Sequence, residues 1–169
     1  LVDGAVLVTP TVVDVQSGAP VVAVDPHTGS SAFPTVDADN LRGARLATEH
    51  LLNLGHRRIA LLAGRADLES AHLREQVYRE ALAAAGVPFD DALVRVGGYD
   101  PELGARAAYE LLTGPQRPTA VFAANDVSAI ATIKVALSLG LRVPEDLSVV
   151  GFDNIPESAL CSPPLTTVD

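Results

Sequence analysis

Residues 120–153 read AVFAANDVSAIATIKVALSLGLRVPEDLSVVGFD and hold one strand–helix–strand pattern. The apolar runs Ala120 to Ala124 and Leu147 to Val150 each have the length of one buried strand. Between them, Gly140 is typical of a helix end and follows apolar residues at helical spacing, namely Ile130, Ile133 and Leu137. This pattern predicts two parallel strands joined by a helix, which places the chain in the α/β class.

The same alternation covers much of the remaining chain. Further apolar runs predict strands at Ala5 to Val8, Val21 to Val24, Ile59 to Ala63 and Leu93 to Val96. Three more helices are predicted from spaced apolar residues, namely Ala44, Ala47, Leu51 and Leu54; Leu73, Val77, Ala81 and Ala84; and Leu103, Ala107 and Leu111. The last of these helices is preceded by Asp100, Pro101 and Glu102, which are typical of a capped helix start.

Two unequal units follow from this pattern. Residues 39–160 hold a complete four-stranded α/β unit, whereas residues 1–37 hold only two strands and one weak helix, too few to cover their own sheet. We therefore expect the first portion to belong to a second α/β lobe whose opening elements are absent. The chain contains no Met, even at position 1, so we also expect it to be a fragment of a longer protein.

Composition narrows the classes of function. Of 169 residues, 48% are apolar, and 21 acidic against 12 basic residues give a net charge of −9. An acidic surface does not favour contact with nucleic acid phosphates. There is no apolar run long enough for a membrane span, no signal-peptide pattern, and a single cysteine, Cys161, so we expect a soluble, cytoplasmic protein.

Polar side chains collect where the predicted strands end. Ligands of open parallel sheets bind beyond the carboxyl ends of the strands. The residues at or near these ends are Asp25, Ser70, Arg74, Tyr99, Asn125, Asp126 and Asp153. Carboxylates accept hydrogen bonds from hydroxyls, a guanidinium bridges two oxygens, and a flat ring packs on C–H faces. The set therefore predicts a polyhydroxylated ligand.

Ordinary structural roles remain open for several of these residues. Asp126 can be the N-cap of the helix that starts at Val127. Asn125 and Asp153 can be turn residues, and Arg74 can be a surface charge that covers its helix.

Motifs of common enzyme sites are missing from the sequence. We find no glycine-rich dinucleotide loop, phosphate loop, nucleophile elbow or zinc-protease histidine pair. The four histidines do not cluster, and Asp67, Ser70 and His72 lie too close along the chain to form a catalytic relay. We therefore expect no catalytic residue, no metal and no cofactor.

Four stretches carry a family resemblance. They read EHLLNLGHRRIA (49–60), AAND (123–126), VPEDLSVVGFD (143–153) and PPLTTV (163–168). In these stretches, and over nearly all of its length, the chain resembles the effector-binding core of LacI/GalR-family transcriptional regulators, truncated at both ends.

The resemblance implies a periplasmic-binding-protein-like fold of type I, with doubly wound parallel sheets in two lobes and a small ligand between them. It implies a partial N-terminal lobe at residues 1–38, a C-terminal lobe at 39–162, and a crossover back toward the N-terminal lobe at 163–169. The N-terminal lobe would be incomplete.

The resemblance also implies roles for the strand-end residues. The positions that match hydrogen-bonding contacts to the effector are Asp25, Arg74, Asn125 and Asp153. Tyr99 matches an aromatic residue that stacks on the effector, and Ser70 matches a secondary contact.

The chain departs from the family's usual residues at three positions. Val77 and Ala131 stand where glycine is usual, which bears on local helix packing and on contact between the lobes. Pro26 stands where arginine is commoner, which bears on the loop after Asp25.

Our main hypothesis is a sugar-responsive, DNA-binding repressor or related regulator that acts as a dimer. Its operator DNA would be bound by an N-terminal helix-turn-helix absent from this sequence, and no membrane would be involved. The alternative is an extracytoplasmic sugar-binding protein of a transporter, which shares the expected fold. A third hypothesis, an enzyme acting on the same ligand, lacks a positioned nucleophile or metal set.

Overall fold

The computed structural model describes residues 3–11, 18–28 and 33–169. The strands are β1 (Ala5–Val8), β2 (Val21–Val24), β3 (Thr35–Val36), β4 (Ile59–Ala63), β5 (Val94–Val96), β6 (Ala120–Ala123), β7 (Ser148–Phe152) and β8 (Thr166–Val168). The helices are α1 (Asn40–Asn53), α2 (Glu69–Ala84), α3 (Pro101–Thr113), α4 (Asp126–Ser138) and α5 (Pro156–Leu160), and a short 3-10 turn covers Asp91–Leu93.

The strands form two parallel sheets. The larger sheet has five strands in the order β5-β4-β6-β7-β8, and the smaller has three in the order β1-β2-β3. In the larger sheet, Leu61 of β4 lies opposite Phe122 of β6, which lies opposite Val150 of β7. The predicted α/β class with parallel sheets is confirmed. All strands of a sheet therefore end at the same edge.

Helices cover both faces of the larger sheet, as strand β4 shows most clearly. Ile59 and Leu61 point into a core formed with α1 and α2, while Ala60 and Leu62 point into a second core formed with α3 and α4. All four side chains are at most 1% exposed. Because burying one large apolar side chain contributes about 1.5 to 3 kcal/mol, this two-sided core holds the strand ends in fixed positions.

Three of the six predicted strands have their expected bounds, namely β1, β2 and β4. The other three, β5, β6 and β7, begin or end one or two residues away from the predicted positions. Strands β3 and β8 and the one-turn helix α5 were not predicted.

The helix predictions are correct in position but wrong at some core residues. Leu54, Leu103 and Leu137 are 59%, 40% and 45% exposed, and Ala84 is exposed as well. Each of the four lies in the first or last turn of its helix or directly beyond it. The predicted cap of α3 is confirmed, because the Asp100 carboxylate accepts hydrogen bonds from the Glu102 and Leu103 amides at 2.9 and 2.8 Å.

The residues at the two glycine positions of the family fit the packing of this chain. Val77 is 1% exposed in the core beneath α2, and Ala131 is 6% exposed on α4. The weak helix expected before Asp37 stays a prediction, because residues 12–17 and 29–32 lie outside the described part of the chain. None of the helices in the described ranges has the length and hydrophobicity of a membrane span.

Candidate functional site

Five non-glycine residues have a positive φ, in the left-handed region of the backbone, and each of them lies in a loop that follows a strand. In the part of the chain that the structure describes, these are Thr9 (φ 46°), Asp25 (φ 46°), Tyr99 (φ 61°), Asp153 (φ 108°) and Asn154 (φ 50°). Such angles are costly for residues with a Cβ and concentrate at functional sites. The backbone strain therefore marks the same edge that the sequence selected.

A cavity of about 400 Å³ opens at this edge, between the loops of the two sheets. Its lining includes five of the six predicted ligand-binding residues, namely Asp25, Ser70, Arg74, Tyr99 and Asp153. Thr9, Asp25 and His27 come from loops of the smaller sheet. The backbone amide of Glu69 also donates to the His27 carbonyl at 2.9 Å, which connects the start of α2 to the loop after β2.

Arg74 is a buried cation and not a surface charge. It is 5% exposed, and its guanidinium lies 3.6 Å from the centre of the Phe152 ring. Its Nε donates to the Asn40 Oδ1 at 2.9 Å, and its Nη1 donates to the Ala124 carbonyl. The Nη1 also lies 3.6 Å from the Asp153 Oδ1, so the two charges form an ion pair without a short hydrogen bond. Protein atoms thus hold this guanidinium from several sides.

Asp153 faces the cavity with a perturbed ionisation. Its side chain is 40% exposed, yet surrounding protein desolvates the carboxylate enough to raise its pKa to about 6. The positive charge of Arg74 opposes this shift, and the negative charges of Asp126 and Asp25 add to it. A carboxyl group that titrates near neutral pH in a cleft is typical of a functional site.

Tyr99 contributes an unsatisfied hydroxyl. Its Oη is buried and has no hydrogen-bond partner among the described residues. Burial raises the pKa of this phenol, while the positive charge of Arg74 and the neighbouring Ser70 side chain oppose the shift. The ring lies against Gly64 so closely that a Cβ there would collide with the Tyr99 Cζ and Oη. Tyr99 thus lines the cavity with a hydroxyl, a donor and acceptor, that no described protein group uses.

Asn125 lies outside the cavity lining, so its contact with a ligand stays a prediction. Its Oδ1 accepts a hydrogen bond from the Ser128 amide at 3.0 Å and caps helix α4. The expectation that Asp126 is this cap was wrong. Asp126 is the first residue of α4, fully buried, and its carboxylate accepts from the Ile155 amide and the Thr167 hydroxyl. Strand β6 likewise ends one residue earlier than predicted, at Ala123.

Sequence reasoning missed two residues that shape the site. Asn40, 6% exposed in the first turn of α1, accepts a hydrogen bond from Arg74 and was not among the predicted site residues. The Phe152 ring stacks on the Arg74 guanidinium, and Phe152 was not among the predicted site residues either. The sequence did carry a signal for Asn40. A helix needs only one N-cap residue, which Asp39 provides, so a second polar residue directly after it indicates another role.

The structure brings no catalytic set together at Asp67, Ser70 and His72. The Asp67 carboxylate is bonded to Arg65 at 2.5 and 3.0 Å, and the His72 ring is bonded to the Ala66 carbonyl at 2.7 Å. No group of three or more His, Cys, Asp or Glu residues within the described ranges could hold a metal ion.

Comparison with known proteins agrees with this geometry. Residues 48–169 match the family model described as a periplasmic binding protein-like domain. The chain belongs to this family. A relative of this periplasmic binding protein-like domain is the HTH-type transcriptional repressor CytR of Escherichia coli (strain K12), which is 41% identical over 149 residues, 88% of this chain and 44% of the relative. The HTH-type transcriptional regulator CelR of Thermobifida fusca is 44% identical over 134 residues, 79% of this chain and 39% of the relative.

Solved structures give the same result. The structure of a complex of the transcriptional regulator CelR with cellobiose superposes on this chain with a TM-score of 0.86 at 38% identity. The superposition covers 98% of this chain and 53% of the CelR chain. A lac repressor dimer bound to operator and the anti-inducer ONPF gives a TM-score of 0.79 at 32% identity and covers 89% of this chain and 52% of that one.

These comparisons confirm the resemblance to the core of LacI-family regulators and do not favour the transporter alternative. The relatives are named as regulators and not as enzymes. This periplasmic binding protein-like chain spans less than half the length of these two curated relatives.

Proposed function

We propose that this chain is the effector-binding core of a LacI-type transcriptional regulator and that a small, uncharged, polyhydroxylated molecule, such as a sugar, binds in the strand-end cavity. One observation carries the proposal. Carboxylates, a buried guanidinium and Tyr99, whose hydroxyl has no partner among the described residues, line a single cavity between the loops of the two sheets. The cellobiose bound by the similar regulator CelR supports a sugar as the class of ligand.

The charges around the cavity favour an uncharged ligand. Both lining cations have a carboxylate partner, since Arg65 is bonded to Asp67 and Arg74 is paired with Asp153. In the described part of the chain, no salt bridge neutralises three further lining carboxylates, Asp25, Asp37 and Glu69. A sugar phosphate would therefore meet excess negative charge, whereas hydroxyl groups would find acceptors.

The proposed mechanism is allosteric and has no catalytic step. Residues 1–38 and 39–162 would form parts of two lobes, residues 163–169, which include β8 of the larger sheet, would lead back toward the first lobe, and the ligand would favour the closed arrangement of the lobes. Only a difference in affinity between the two arrangements can shift their equilibrium, and a coupling of about 1 to 3 kcal/mol changes operator affinity roughly 5- to 150-fold. A helix-turn-helix outside these residues would bind the operator, in the cytoplasm and as a homodimer.

A ligand panel with the full-length protein tests the proposal. It contains cellobiose, glucose, cytidine and glucose 6-phosphate, each tested by thermal shift and then by titration calorimetry. We expect an uncharged member to raise the melting temperature, because binding to the folded state adds stability, and we expect no rise with the phosphate ester. Preference for the phosphate ester, or binding of none, would contradict the proposal.

Two arginine variants then locate the site. Arg74→Ala should weaken binding of the selected sugar by about 2 to 5 kcal/mol, because it removes a desolvated charged partner. The matched control is Arg65→Ala, a lining arginine with an exposed ion pair, which should cost less than about 1 kcal/mol. Ligand-free thermal unfolding shows that both variants fold. Equal losses of affinity would rule out a special role for Arg74.

A further inference from the structure

The orientation of Arg74 depends on a side chain from another element, Asn40 in the first turn of α1. The Asn40 Oδ1 accepts the Arg74 Nε–H at 2.9 Å, and both residues are buried, at 6% and 5% exposure. The Nε–H is the donor nearest the stem of the arginine, so its bond fixes the plane in which the two terminal nitrogens lie.

The second half of the Asn40 amide is also engaged. Its Nδ2 donates to the Ala38 carbonyl at 3.1 Å, and the Asn40 backbone amide donates to the same carbonyl at 2.8 Å. Ala38 lines the cavity and lies two residues beyond β3 of the smaller sheet. One amide group therefore connects the buried guanidinium of the larger unit to the segment that leads from the smaller sheet.

Helix capping does not explain this arrangement. Asp39 is the N-cap of α1, and its carboxylate accepts from the Arg42 amide at 3.0 Å. Packing does not require an amide either, because a buried polar group lowers stability unless its hydrogen bonds are made. The amide of Asn40 meets this condition through Arg74 and Ala38.

We propose that Asn40 is a positioning residue that sets the orientation of the Arg74 guanidinium toward the cavity and ties it to the segment at Ala38. An amide suits this place because it accepts with one atom and donates with the other. A carboxylate would keep the acceptor for Arg74 but would place an oxygen against the Ala38 carbonyl. The inference rests on the proposed function in one respect, namely that Arg74 contacts the ligand.

The first test needs no ligand. In full-length protein with isotope-labelled arginine, the hydrogen exchange rate of the Arg74 Nε–H is measured by NMR, with Arg74→Lys identifying its signal. We expect Asn40→Ala to speed this exchange about tenfold, because a buried N–H without its acceptor loses protection. Asn40→Asp, which keeps the acceptor, should leave the rate unchanged, as should the control Asn53→Ala at the exposed end of α1.

The second test measures affinity for cellobiose by titration calorimetry. We expect Asn40→Ala to raise the dissociation constant about tenfold, whereas the control Asn53→Ala stays within about threefold. If Asn40→Ala fails to fold, Asn40→Ser replaces it, because its hydroxyl is too short to reach Arg74.

The outcomes separate the two proposals. Unchanged Nε–H exchange in a folded Asn40→Ala or Asn40→Ser variant overturns the positioning role. A wild-type protein that binds no sugar of the panel contradicts the proposed function, and the exchange result still decides the role of Asn40. Faster exchange with unchanged cellobiose affinity overturns the claim that this orientation serves the ligand.

Discussion

Asp153 is the cavity residue whose charge should respond to pH in a useful range. Burial raises the pKa of its carboxyl group from 3.8 to about 6. Because a sugar hydroxyl donates to the ionised form, we expect wild-type affinity to fall roughly tenfold between about pH 7 and pH 5. Titration calorimetry at about pH 7, 6 and 5, with the sugar selected from the panel, measures this change. Asp153→Asn should bind more weakly at neutral pH and lose the pH dependence.

The raised pKa of Asp153 affects the stability of the ligand-free protein in the opposite direction, because stability decreases where sugar affinity increases with pH. Between about pH 4 and pH 6 the folded state holds more of this proton than the unfolded state. The contribution of Asp153 to the free energy of unfolding is therefore complete at low pH and is lost as pH rises through this interval.

For ligand binding, identical pH profiles of sugar affinity in wild type and Asp153→Asn would contradict the assignment of Asp153 to the ligand site.

At the scale of elements, His56 joins the starts of three strands at the edge opposite the cavity. Its Nδ1 lies 2.9 Å from the Thr119 hydroxyl before β6, and its Nε2 lies 3.0 Å from the Ser148 hydroxyl at the start of β7. Burial, assisted by the nearby His50, lowers the pKa of the His56 ring. His56 precedes β4, and its two ring contacts connect this strand to β6 and β7. Removing the side chain should therefore loosen the register of the three strands.

We expect His56→Ala to lower the free energy of unfolding by about 1 kcal/mol at pH 7. Because the folded pKa is lowered, this stabilisation is present above the unfolded value of 6.5 and decreases as pH falls below it. Urea unfolding of wild type and variant at about pH 8 and pH 5.5 measures the effect. The control is His72→Ala, an exposed histidine with one backbone bond. A loss that grows toward acid pH would disprove this role.

Strand predictions succeeded where packing alone decides the element. The run IALLA of β4 is buried on both faces, so its five apolar residues define the strand. By contrast, β3 has only two residues, and β8 has three, of which two are Thr. None of these five side chains is fully buried. These strands exist because they add hydrogen bonds to the edge of a neighbouring strand, which is a long-range property that no local pattern records.

The candidate site was predictable in part for a related reason. Parallel strands end at one edge, so the position of Asp25, Tyr99 and Asp153 beyond strands was enough to group them. Sequence distance hides the contact between Arg74 and Asn40, which are 34 residues apart. The stacking of Arg74 on Phe152 is hidden in the same way. Side-chain partners of this kind depend on how helices pack across a sheet.

For the whole molecule, the cavity is bordered by both sheets, so a bound ligand should change their relative position. Asp25 and His27 lie on loops of the smaller sheet, while Arg74 and Asp153 belong to the larger unit. A sugar that contacts both groups adds hydrogen bonds only in an arrangement that brings the loops together, so its binding free energy favours closure. We therefore expect the radius of gyration of the full-length protein, measured by small-angle X-ray scattering without DNA, to decrease when the selected sugar is added at saturating concentration. Arg74→Ala at the same sugar concentration should show no decrease, and calorimetric binding to the wild type with unchanged scattering would refute closure as the allosteric step.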